Sequence, residues 1–564
     1  MHLPLRTLLG LALLSTACTE EPDEPGAIGV VEFEIGAGSV KELTFTWSVA
    51  SGAEDYQLLE QLEPGAEFVE VGAPTTETET NRSLALHRSL DATYVLRACN
   101  TISCRESDPV SAAPAISQAI GYIKPAGTSS RDRFGASVAL SADGSTLAVG
   151  ASGAESDAEP GSVHVFGRDA AGAWVELAEI AASNAGEGDR FGASVALNAN
   201  GSVLAVGAPE EDGGENGTTA KQDSGAAYVF VRDAEAETWA EQAYIKAPNY
   251  DLTNLKVSDL FGVSVTLDDA GEALAIGASR EGSGAGAGAV YVYDRADASE
   301  AGWTLDRTLK APTPDDGDDF GLSIAFDGTG ETLAIGAPGE DSGSSGIDGD
   351  ASDNSSGDTG AVYVFSRVRG PDDPSVWQWA EAPVYIKPTN PEAEAEFGRV
   401  GLSAAGDVLA VGAPRSEGLG SAYVFTRESE TGAWVQAIEI VDPSPDGARD
   451  EFGDALALSA DGRVLAIGVP EDDSVATGLG GDEANVDGFR SGAVRVYAGD
   501  GRWLSTPVPV YVKASNTDDD DEFGRAIALD ASGETLAVGA ISEDGNGDDP
   551  TNNAASNAGA VYLY

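Results

Sequence analysis

Oxygen is the ligand that this sequence offers most freely. Asp348, Asp350 and Asp353 lie in PGEDSGSSGIDGDASDNSSGDTG, and Asp473, Asp482 and Asp487 in PEDDSVATGLGGDEANVDG. Each trio has spacings that could wrap a hard, oxygen-preferring cation such as Ca²⁺. The same carboxylates would equally serve as a solvated face neutralised by ordinary salt. Acids from different loops could also meet as the pair a polysaccharide hydrolase needs, but among 94 Asp and Glu no particular pair stands out. Nucleophilic and redox chemistry have less to work with. The chain holds no G-x-S-x-G, H-E-x-x-H, C-x-x-C or phosphate-binding loop. Beyond His2 its histidines are His87, in SLALH, and His164, in SVHVF, and both read as structural positions on strands. No catalytic residue is assigned, and the chain reads as a binding protein rather than an enzyme.

Composition narrows the elements that could position these acids. With 564 residues there is room for two or three domains, and 70 Gly and 26 Pro against one Met favour strands and turns over helical bundles. The formal charge of −62 repels nucleic acid and anionic membrane surfaces, which excludes both as partners, and suits a highly solvated exterior.

The first residues read as a targeting segment. Arg6 supplies a small positive region, and Leu8 to Leu14 an apolar stretch too short to span a bilayer. Leu14-Ser15-Thr16-Ala17-Cys18 then resembles the lipobox of bacterial lipoproteins, with Ser15 where that family prefers Leu. The resemblance implies a signal peptide over 1–17 and a lipid on Cys18. Thr19, rather than Asp, implies that the protein is not retained at the inner membrane, so it is expected at the outer membrane or cell surface. The alternative is an ordinary secretory signal with an incidental Cys. Lipidation of Cys18 would leave Cys99 and Cys104 as a pair that an oxidising compartment lets close. Residues 18–27, acidic and Pro-rich, read as a tether.

Over 28–115, VVEFEI, LTFTWSV, YQLLEQL, EFVEVG, SLALH and TYVLRACN alternate between Gly, Pro, Asn and Asp clusters, which predicts a small β-sandwich. Trp47 on the second strand and Tyr94 in TYVLRACN make it resemble a fibronectin type III domain. Such modules are usually spacers.

The remainder, 119–564, is periodic. Phe-Gly recurs at Phe134, Phe191, Phe261, Phe320, Phe397, Phe452 and Phe523, with a turn Gly ten residues after each Phe, or nine in the fifth copy. Phrases such as LAVGA and LAIGAP follow, closing on Gly150, Gly207, Gly277, Gly336, Gly412, Gly468 and Gly539. A third run follows a variable loop (SVHVF, AAYVF, AVYVY, AVYVF, SAYVF, AVRVY, AVYLY), and Trp174, Trp239, Trp303, Trp377 with Trp379, Trp434 and Trp503 mark a fourth. LAVGA carries almost nothing polar, so both its faces must be buried, as in a blade stacked between two others. The Gly after each Phe is expected to relieve crowding near a central channel. The last copy stops at AVYLY, while GYIKP at Gly121 to Pro125 precedes the first and is expected to supply the missing outer strand.

These residues resemble the FG-GAP repeats of integrin α subunits and of many bacterial surface proteins. That resemblance implies an all-β, seven-bladed β-propeller used for binding. Calcium-binding members carry D-x-D-x-D-G between the first two strands, and the short turns SADGST, NANGSV, DGTGET and DASGET do not match it. The expected function is a lipid-anchored binding or adhesion protein contacting an extracellular protein or glycan through the acidic face. The alternatives are a structural envelope component and a carboxylate hydrolase.

Overall fold

In this computed structural model the described residues are 27–564 without 126–128, 154–158, 170–171, 213–222, 234, 249–258, 283–285, 296–301, 372, 374–375, 445–448 and 546–554. They form two compact units, and none of their helices is long and apolar enough to cross a membrane. The smaller unit takes in the residues up to Gly36, Thr44–Asn81 and Asp91–Ala112, and the larger takes in Ala37–Leu43, Arg82–Leu90 and Ala113–Tyr564. Each unit thus draws on separate stretches of the chain. Within the larger unit, Lys41 Nζ donates to Glu534 O and Thr535 Oγ1, each at 2.7 Å, and His87 Nε2 lies 3.0 Å from Gly533 O. His87 is not on a strand as expected. Leu86–Arg88 is a 3-10 turn in which consecutive residues Leu86 and His87 are both buried, which an alternating strand does not allow.

The N-terminal strands make a three-stranded sheet, in the order Phe33–Ala37, Glu42–Trp47, Glu79–Ser83, and a five-stranded one. The latter runs Val69–Thr75, Asp55–Gln61, Thr93–Cys99, Cys104–Glu106, with Val110–Ser111 also on Thr93–Cys99. Phe45 and Tyr94 meet edge-on at 4.8 Å, Trp47 leans on Tyr56 at 5.6 Å, and the Tyr94 hydroxyl donates to Glu60 Oε1 at 2.6 Å. A disulfide joins Cys99 and Cys104 across the last hairpin.

The larger unit repeats one four-stranded antiparallel sheet. In copy one its strands are Phe134–Leu140, Thr146–Ala151, Ser162–Arg168 and Trp174–Ile180, hydrogen-bonded in chain order. Copies two to six repeat that order; in copy four the outer position is split between Trp377–Trp379 and Val384–Ile386. In the last sheet Phe523–Leu529, Leu536–Ala540 and Ala560–Leu563 are followed by Gly121–Ile123, with Tyr562 opposite Tyr122. Every second strand is buried along its whole length, which is why LAVGA needs no polar residue. In copy six the outer strand is Val510–Val512 and not a Trp-bearing segment. Trp503 instead turns inward, fully buried, and its Nε1 donates to Gly462 O at 2.8 Å.

The repeated glycines are where one sheet meets the next. A Cβ on Gly150 would stand 2.0 Å from Gly192 O, and Gly192 itself has φ +90°. The same approach recurs from copy to copy until a Cβ on Gly539 would stand 2.2 Å from Gly135 O of copy one. So the Gly after each Phe relieves contact between sheets, not crowding in a channel as expected. Backbone hydrogen bonds close a second circuit at the turns after the first strands. Ala142 N donates to Ala199 O, Ala199 to Asp269, Asp269 to Gly328, Gly328 to Ala404, Ala404 to Ala460, Ala460 to Ala531, and Ala531 back to Ala142, at 2.8–3.1 Å. Beside this ring, Leu140, Leu197, Leu267, Phe326, Leu402, Leu458 and Leu529 line a cavity of about 160 Å³. Repeated four-stranded sheets closed in this way fit a β-propeller.

Candidate functional site

At the end opposite the hydrogen-bonded ring, the loops from second to third strands meet the links that lead into the next sheet. Thr313 Oγ1 in the link before copy four donates to Ala351 O in that copy's loop, and Phe489 N in the copy-six loop donates to Asp519 Oδ1 in the following link. Counting four residues on from the Gly that ends each second strand gives Glu211, Glu281, Glu340, Ser416, Asp472 and Glu543 in copies two to seven. The five acids among them are buried, and each meets the lysine that directly follows its sheet's outer strand. The ammonium groups of Lys310, Lys387 and Lys124 lie 2.7, 2.7 and 2.8 Å from Glu281, Glu340 and Glu543; Lys513 is 3.1 Å from Asp472, and Lys246 pairs with Glu211. Tyrosines of the same strands add hydroxyl donors, as Tyr385 does to Glu340 at 2.8 Å and Tyr511 to Asp472 at 2.8 Å. In copy five the acid is Ser416, and the residue aligned with the lysines is Val441, so both charges are replaced together. Burial lowers the pKa of Lys246, Lys387 and Lys513 while their carboxylate partners oppose it.

A second acid follows directly in four copies and holds the loop's return. Asp212, Asp341, Asp473 and Asp544 accept the backbone N–H of Asp223, Asp358, Arg490 and Asn557, at 2.7–2.8 Å. A third stands two residues before the repeated Phe. Burial pushes Asp189 up to about 6, Asp318 to about 7 and Asp521 to about 8, against the N–H each accepts from the residue three before it.

The structure does not gather the expected cation ligands. Asp348 accepts Tyr385 N, Asp350 accepts Ser352 N and Oγ, Asp353 accepts Ser355 Oγ, Asp473 accepts Arg490 N and Asp482 accepts Ala484 N. Asp487 is exposed. Among the described residues no group of three or more His, Cys, Asp or Glu is placed to hold a metal ion. These acids instead shape two loops of matching design, in which Ile347 bridges Ile386 and Leu479 bridges Val512 beside the outer strand. Cys18 lies outside the described residues.

Copies one and six depart from the pattern. At the third-strand position that is Tyr in copies two to five and seven, copy one has His164, whose Nδ1 is 2.8 Å from Glu176 Oε1 and whose Nε2 is 3.2 Å from Ser162 Oγ. Copy six has Arg495, fully buried, with Nε 3.2 Å from Asp442 Oδ1 and Nη1 2.8 Å from Glu483 Oε2. Arg495 thereby ties the copy-six loop to the link before that copy.

Three stretches, 121–166, 174–230 and 511–564, match the FG-GAP repeat. Two of them begin on the strand that completes the preceding sheet, and the first begins on Gly121–Ile123, which completes the last. No curated protein is significantly similar in sequence. Among solved structures, a 6-phosphogluconolactonase-like protein of Bacteroides uniformis is 9% identical with a TM-score of 0.44, over 82% of this chain and 98% of its own. Sqt1 of Saccharomyces cerevisiae is 11% identical with a TM-score of 0.38, over 74% and 82%. At these values the neighbours speak to neither activity nor ligand.

Proposed function

We propose that this chain is a surface-anchored binding protein. In this reading a lipid on Cys18 and a fibronectin type III-like sandwich hold a seven-bladed FG-GAP propeller outward, and the face built from its long acidic loops contacts an extracellular protein or glycan. The observation that carries the reading is the FG-GAP match on repeated four-stranded sheets whose variable loops open at one end. The buried acid–lysine pairs support it, because they fix the loop bases and leave the loop tips free to vary. The deciding experiment probes the purified protein against arrays of extracellular glycans and proteins. Saturable binding to one class is expected, and none to either class would remove the reading. For the anchor, Cys18→Ser is expected to move the protein from the detergent phase to the aqueous phase, and continued partition into detergent would point to another anchor.

A hydrolase is the second reading. The acids with raised pKa do not favour it, since Asp189, Asp318 and Asp521 are 4%, 2% and 1% exposed. The Ser162–His164–Glu176 row is the observation on its side, being ordered as nucleophile, base and orienting acid. Ester hydrolysis abolished by Ser162→Ala would establish it.

A further inference from the structure

The copy-six loop holds an aromatic ring out in the solvent. Phe489 is 55% exposed, and among the described residues no other Phe, Tyr or Trp is exposed. Its loop is not loose. Phe489 N donates to Asp519 Oδ1, its carbonyl accepts Asp520 N at 2.7 Å, Arg490 N donates to Asp473, and Arg495 grips Glu483 from below. Val475, 37% exposed, and Val486, 40% exposed, belong to the same loop, and Val475 packs beside Gly488. Around this apolar ground stand the exposed carboxylates of Asp482, Asp487, Asp518, Asp519 and Asp520. The nearest guanidinium, Arg490, is taken up by Glu471. A rigidly presented aromatic ring with an apolar rim is the usual centre of a protein contact, and a carboxylate surround selects a partner of opposite charge.

The geometry points to the Phe489 loop as a docking site for a cationic, partly apolar segment of a partner protein. The inference rests on the binding reading above and names its partner chemistry. Phe489 and its valines supply the buried contact, Asp487 and Asp520 steer and orient the basic side chains, and Arg495 holds the loop ready. Arg495 is a positioning residue: copy six alone carries Arg here, and its guanidinium reaches the loop that bears Phe489.

The test measures binding of the full chain to a peptide of alternating Lys and Leu at two salt concentrations, with a Glu/Leu peptide and neutral dextran as comparisons. The Lys/Leu peptide should bind, more weakly as salt rises, and the other two should not. Phe489→Ala should weaken binding on the order of fivefold or more with unchanged melting, as truncation of a central contact does. Asp487→Asn with Asp520→Asn should weaken it and flatten the salt dependence. The charge-matched pair Asp348→Asn with Asp350→Asn, in copy four, should change it less than twofold. Equal effects of the two Asn pairs, an indifferent Phe489→Ala, or preference for dextran would each overturn the inference. Saturable binding of an array ligand that survives Phe489→Ala would overturn it while leaving the binding reading intact. Loss of all array binding would instead remove that reading.

Discussion

Glu340 is 3% exposed and accepts from Lys387, the Tyr385 hydroxyl and the Ser342 N–H, of which only Lys387 brings a charge. Removing the ammonium leaves a carboxylate with no counter-charge in a dry site, which costs about 3–5 kcal/mol. Lys387→Met should therefore be strongly destabilised in urea titrations. Lys387→Val combined with Glu340→Ser copies the solution of copy five and should regain most of the loss. A double variant no better than the single one would show that the pair is not the unit of stability. Asp521 gives a pH-dependent outcome. Burial raises its folded pKa to about 8, so the folded state holds a proton that the unfolded chain releases near 4. Its stabilising contribution is complete below the unfolded pKa and is lost as pH rises through about 8. Buried His87, lowered to about 3, has the opposite slope below about 6.5, so the parent's pH profile alone mixes the two. The clean readout is the difference between proteins. Asp521→Asn should gain on the parent in melting temperature from pH 5 to about pH 8 and hold that gain above it, and a constant difference throughout would place its proton elsewhere.

The sheets are spaced by glycine, and this sets how much change each tolerates. A Cβ on Gly336 would lie 1.8 Å from Gly398 O, so two sheets must separate to admit it. Gly336→Ala should cost about 1–3 kcal/mol or more, whereas Gly302→Ala, with nothing within 4 Å, should leave the urea midpoint unchanged. The recurrence of these glycines was legible in the sequence, 16 residues after each Phe or 15 in copy five, but their place between sheets was not. Trp503 was not, since a Trp at the usual interval marks an outer strand by habit, and only its packing on Gly499 and Gly462 shows the inward turn. The acid–lysine pairs were hidden for a different reason. Four of the pairs are split by a loop of changing length and the fifth, Lys124 with Glu543, by nearly the whole chain, and in so acidic a chain Glu340 looks like its neighbours until the copies are aligned on their glycines. His87 and Lys41 lie far in sequence from the turn at Gly533 that they contact, and no periodicity connects them.

The larger unit is closed by pairing across its full length, Gly121–Ile123 against Ala560–Leu563. Deleting residues 116–125 should bare the edge of Ala560–Leu563, lower the melting temperature and promote self-association in light scattering; a deletion protein that melts as a monomer like the parent would mean that the closing strand contributes little. That pairing also has a consequence for how the protein is made. Synthesis delivers Gly121–Ile123 before any repeat exists, so this segment has no partner strand until the last sheet forms. Closing so long a loop adds little entropy beyond a shorter one, because the penalty grows only with the logarithm of length. The delay is thus one of timing rather than of equilibrium. A chain halted anywhere short of Ala560 carries the same unpaired strand, and so every unfinished molecule shows the feature by which it differs from a finished one.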